Sequence, residues 1–145
     1  MSLKIDNIIL EGTDGVGKTA TIKRLALDGI VCKDRSKDII SKNMLFDVSM
    51  EKRVKIYDEY LKSSNDIVIF LINNDEDELM KRIYSREVIS DFDLEAFKYN
   101  QLYVDTYKYM EVHNMLYGKL FLIDCTHLTL DEQVESVKKV LECLL

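Results

Sequence analysis

The stretch Ile8-Ile9-Leu10-Glu11-Gly12-Thr13-Asp14-Gly15-Val16-Gly17-Lys18-Thr19 decides how this chain is read. A short apolar run gives way to the pattern G-x-x-x-x-G-K-[ST], and an amphipathic segment to Leu27 follows. Glycines let a backbone turn tightly enough for several N–H groups to point at one anion. A helix starting just after them adds the positive end of its dipole. In such a loop the lysine reaches the β- and γ-phosphates of a nucleoside triphosphate, and the threonine hydroxyl ligates magnesium. Lys18 and Thr19 are the candidates, with Gly12, Thr13, Asp14, Gly15, Val16 and Gly17 forming the cradle. The ammonium of Lys18 is expected to be exposed. Asp14 has a plainer reading as a turn residue, and Glu11 either orders the loop or merely ends the strand.

Outward from the loop, three more apolar runs read as strands buried on both faces: Ile30–Cys32, Ile67–Ile72 and Leu120–Ile123. Helical patterns lie between them. Thr19–Leu27 ends at Gly29, a plausible C-cap. Met50, Val54, Tyr57 and Leu61 form a stripe. Asp75–Ser85 turns Leu79 and Ile83 inward, and a long helix is predicted from about Asp93 to Tyr117. The last helix opens on the capping-box pattern Thr129-Leu130-Asp131-Glu132. Alternating strands and helices predict an α/β fold in three layers, with a small, mainly parallel sheet covered by helices on both faces. The chain reads as a single domain over residues 1–145. Ligands of such sheets bind at the carboxyl ends of the strands.

The 145 residues are 47% hydrophobic and 32% charged, with a net charge of −6, as expected of a soluble protein. An acidic surface repels a phosphate backbone, so nucleic acid is not an expected partner. No run approaches the roughly 20 apolar residues of a membrane span. The start, Met1-Ser2-Leu3-Lys4, has no signal-peptide character. Cys32, Cys125 and Cys143 are too few and too scattered for a disulfide framework, so a cytoplasmic location is expected. A homodimer is compatible with everything above. Cys125-Thr126-His127 sets a thiol near an imidazole but lacks further ligands for a metal site. The run Asp75-Glu76-Asp77-Glu78 reads as a helix cap with its dipole partners rather than as a metal site.

The fuller loop, E-G-T-D-G-V-G-K-T from Glu11, resembles that of thymidylate kinases, which reads F-E-G-x-D-G-x-G-K-[ST]. Ile67–Arg82 is similar to the family's strand and helix running into a lid. Arg82 and Arg86, followed by Asp91 or Asp93, Phe97 and Tyr103, resemble that lid. Ile123-Asp124-Cys125-Thr126 resembles its final strand and loop, and Asp34-Arg35-Ser36 its D-R-[YFS] motif. The resemblance implies a P-loop NTPase fold and a kinase. Such an enzyme transfers the γ-phosphoryl group of ATP, with Mg2+, to a small nucleotide or nucleoside, a deoxynucleoside monophosphate such as dTMP being favoured. It implies that Asp124 and Thr126 lie beside the adenine, that Asp14 contacts the acceptor sugar or the metal's water shell, and that Arg82 and Arg86 close over the phosphates. Following Ile30–Cys32, Asp34 should emerge beside the loop and hold magnesium through water. Arg35 would grip the acceptor phosphate. Arg53 is a lesser candidate for the acceptor, and Arg24 a surface charge. The family's R-E-P-G segment has no counterpart, and the chain is short between the loop helix and Ile67. A non-catalytic nucleotide-binding regulatory module is therefore the alternative.

Overall fold

Among the described residues the elements run in the order β1 (Ile8–Glu11), α1 (Lys18–Leu27), β2 (Lys33–Asp34), α2 (Met50–Ser63), β3 (Ile67–Ile72), α3 (Glu76–Tyr84), α4 (Ala96–Val112), β4 (Leu120–Asp124) and α5 (Leu130–Glu142). The structure is a computed structural model and describes residues 4–13, 15–34, 48–89 and 94–144. The four strands form one parallel sheet in the order β2-β1-β3-β4. The fold is thus α/β, and no helix among the described residues is long and apolar enough to cross a membrane.

β3 lies between β1 and β4, and all six of its residues are buried. Its continuous apolar run follows from that position, because both faces of a central strand are covered. Ile67, Ile69 and Leu71 join one core with Leu25 of α1, Leu79 and Ile83 of α3, and Val134, Val137 and Leu141 of α5. Val68, Phe70 and Ile72 join the other, with Val54, Tyr57 and Leu61 of α2 and Tyr103, Val104 and Met110 of α4. Helices therefore cover the sheet on both faces. Phe70 holds Tyr57 and Tyr103 edge-on, with ring centroids 5.4 and 4.9 Å away.

Two expected boundaries move. The second strand is Lys33–Asp34, not Ile30–Cys32. Helix α1 ends on a left-handed Gly29 (φ 81°), with Ile30 N–H donating to the Leu25 carbonyl and Gly29 N–H to that of Ala26. This cap consumes Ile30. Val31 then faces outward at 76% exposure, and pairing with β1 begins only where Lys33 meets Ile9. The long helix stops at Val112 rather than Tyr117. Asn114 (φ 57°) takes the left-handed position there, and Met115 N–H returns to the Met110 carbonyl. Asn is among the few non-glycine residues that adopt this conformation readily.

Candidate functional site

The loop after β1 is shaped by what its glycines exclude. A Cβ at Gly12 would lie 2.4 Å from the Leu71 carbonyl oxygen, so only glycine fits against β3. Gly15 and Gly17 have φ of 89° and 85°, where a side chain is strained. Gly17 is the N-cap of α1 and offers no side chain to it. By contrast, Ser49, Asp75 and Thr129 cap α2, α3 and α5 with side-chain oxygens. The first turn of α1 also holds no acidic residue. The positive end of its dipole therefore faces the loop without a side-chain cap from its N-cap residue, as suits an anion.

Lys18 is buried, at 7% exposure, rather than exposed as expected. Its Nζ donates to the Gly12 carbonyl at 2.6 Å, closing the loop from its seventh residue back to its first. The same ammonium lies 3.5 Å from Asp34 Oδ1 at the end of β2. Thr13, Gly15, Gly17, Lys18, Thr19, Ala20, Asp34 and Arg86 line one cleft of about 270 Å³. The topology puts it there. The helix after β1 packs on one face of the sheet, and α2, the next described helix after β2, packs on the other. Between such neighbours a crevice opens at the carboxyl ends.

Thr13 is fully buried in the cleft wall, and its hydroxyl has no hydrogen-bond partner among the described residues. An orphaned buried hydroxyl costs stability unless something completes it. With the start of α1 and the Lys18 ammonium in the same cleft, it fits a phosphate chain. The exposed Thr19 hydroxyl and the half-exposed Asp34 carboxylate are hard oxygen donors of the kind magnesium takes.

The remaining sequence candidates divide. Arg86 lines the cleft, although α3 ends at Tyr84, so Arg82 and Arg86 do not share a continuous helix. Arg82 donates to the Gly15 carbonyl at 3.3 Å and pairs with Glu78 at 2.8 Å. Asp124 and Thr126 bond each other and hold Asn74, and they are not among the residues lining the cleft. Asp14, Arg35, Asp91 and Asp93 lie outside the described residues. Arg53 is buried and donates to Thr106 Oγ1 at 2.7 Å, with burial lowering its pKa. Arg24 pairs with Asp131 on the surface. Burial pushes the Cys125 thiol up to about 12, and His127 faces Glu78 and Asp75 instead, so the pair is no thiol–imidazole dyad.

Two supports of the loop escaped the sequence reading. Gln133 of α5 is buried and donates to the Val16 carbonyl (2.9 Å) and to Thr21 Oγ1 (2.8 Å). Its signal was a polar residue in line with Val137 and Leu141 on an apolar face. Tyr57 donates from α2 to the buried Glu11 carboxylate at 3.0 Å, so Glu11 does more than end the strand. A tyrosine in an apolar stripe still needs a partner for its hydroxyl. Comparison of the chain with protein-family models finds no match, and comparison with curated proteins finds none.

Proposed function

We propose that this is a P-loop kinase that transfers the γ-phosphoryl group of ATP, with magnesium, to a small nucleotide or nucleoside acceptor. A deoxynucleoside monophosphate such as dTMP is the favoured acceptor. One observation carries the reading: an uncapped helix N-terminus, the Lys18 ammonium and the Asp34 carboxylate meet in a single cleft between two neighbouring strands.

Phosphoryl transfer needs positioning and positive charge more than covalent help from the protein. The acceptor oxygen bonds to the γ-phosphorus as the bond to the β–γ bridging oxygen breaks and ADP leaves; an ionised monophosphate oxygen releases no proton, whereas a nucleoside hydroxyl gives its proton to solvent. Magnesium, when bound, neutralises phosphate charge; Thr19 would hold it directly and Asp34 through water. The loop's N–H groups and the start of α1 bind the phosphate oxygens. Lys18 sits where it can turn from the Gly12 carbonyl to the outer phosphates. Arg86, in the cleft wall, and Arg82, against Gly15, are cations among the described residues that would meet charge developing on the moving group.

The missing R-E-P-G segment keeps a second reading in play, a module that binds nucleotide without an acceptor. ATP consumption with and without a panel of nucleosides and their monophosphates separates the two. The kinase reading expects turnover that depends on one acceptor. Saturable ATP binding with no acceptor-dependent turnover would leave the regulatory module.

A further inference from the structure

The carboxylate of Glu78 is a junction between the phosphate-side loop and the loop after β4. Its Oε1 accepts from Arg82 at 2.8 Å and from Asn73 Nδ2 at 3.2 Å. Its Oε2 lies 2.9 Å from Nδ1 of His127. A carboxylate can only accept, so Nδ1 carries the hydrogen. Arg82 extends the chain of contacts to the Gly15 carbonyl. The helix bearing both residues already presses on that glycine: a Cβ there would lie 3.0 Å from Leu79 Cδ1 and 3.2 Å from Ile83 Cγ1. At the other end, His127 holds a left-handed backbone (φ 61°). Its loop is pinned on both sides, by Cys125 N–H on the Ile72 carbonyl (2.7 Å) and Leu128 N–H on that of Cys125 (3.1 Å). The imidazole is therefore presented from a fixed frame.

We propose that Glu78 is a positioning residue that stations Arg82 against the phosphate-side loop, and that His127 locks its carboxylate from the loop after β4. An arginine has several rotatable bonds and samples many rotamers when free. Two fixed acceptors, Glu78 and the Gly15 carbonyl, remove most of that freedom before any ligand arrives, which is what preorganised stabilisation of a transferring group requires. The reading of Arg82 as an aid to transfer rests on the kinase proposal above; the Glu78 junction does not.

The test pairs kinetics with a stability cycle. Glu78→Gln keeps the size of the side chain and removes its charge. It should lower kcat about tenfold while the KM for MgATP stays within about threefold, because the arginine acts on developing charge. Added to Arg82→Ala, it should change kcat by less than about twofold. An undiminished effect in that background, or an Arg82→Ala enzyme with unchanged kcat, overturns the proposal. Thermal unfolding of Arg82→Ala, His127→Ala and the double variant needs no activity. Glu78 is the partner that these two residues share, so their Tm changes should depart from additivity by about 2 °C or more. Additive changes overturn the junction. Should the wild type neither bind nor turn over MgATP, the kinase reading fails and the stability cycle alone decides on Glu78.

Discussion

The Nζ of Lys18 lies 3.5 Å from the Oδ1 of Asp34, joining the first residue of α1 to the last of β2. The pair brings a cation that suits phosphate and a carboxylate that suits a metal to one end of the sheet. Asp34→Asn keeps the shape and removes the charge. The magnesium concentration needed for half-maximal activity should rise about tenfold or more, as when an outer-shell metal partner is lost. Stability should fall by about 1 kcal/mol, because the carboxylate is half-exposed while the Lys18 ammonium that loses it is buried. A magnesium titration of the two proteins checks this, and identical curves would remove Asp34 from the proposed metal site.

Gly12→Ala should disable the loop through sterics alone. The added carbon would meet the Leu71 carbonyl oxygen at 2.4 Å, and that oxygen belongs to the central strand and cannot yield. A loss of about 1–3 kcal/mol is expected, as for other overpacked sites. Nucleotide affinity should fall with it. Urea unfolding measures the first effect and calorimetry the second.

Tyr57→Phe should destabilise the fold by about 1–2 kcal/mol, since it takes a donor from the buried Glu11 carboxylate. The ring still packs on Phe70, so the loss isolates the hydroxyl. Unchanged stability in a denaturant titration would mean that Glu11 is held by its other contacts alone.

The thiols should separate by burial. Desolvation pushes Cys32 up to about 11 and Cys125 up to about 12 from an ordinary 9.0, while Cys143 is exposed. Alkylation of the native protein at pH 8 should label Cys143 alone, and all three should label in denaturant. Both buried thiols hold their protons more tightly folded than unfolded. Their contribution to stability is therefore full below pH 9 and is lost as pH rises through about 11 and 12. Native labelling of Cys125 would contradict its burial.

Much of this was legible in sequence because local and global signals agree. The run Ile67–Ile72 is apolar at every position because the strand is covered on both faces, and its place at the centre follows. Asp75 and Thr129 cap α3 and α5 as their spacing implied. Boundaries failed where a left-handed residue ended a helix. Gly29 absorbed Ile30 into a cap, and Asn114 halted a helix whose composition continues. The cleft was legible where one contiguous stretch, Thr13–Thr19, supplies most of its lining. That Asp34 emerges beside the loop was expected from its place after an apolar run, but its ion pair with Lys18 was not. The Tyr57–Glu11 and Gln133–Val16 bonds were not, because hydrogen bonds between distant segments leave no periodicity to read.

The central claim is that the Gly12–Thr19 loop holds the phosphates of a magnesium–nucleoside triphosphate. Calorimetric titration of MgATP into the wild type and into Lys18→Ala tests it most directly. Lys18 touches the Gly12 carbonyl and Asp34, so its loss should cost about 1 kcal/mol of stability and leave a folded protein to titrate. The wild type should bind one equivalent with a Kd below about 1 mM, and Lys18→Ala should bind at least about a hundredfold more weakly. Equal affinities in the two proteins, or no heat of binding to the wild type at several times that concentration, would contradict the claim.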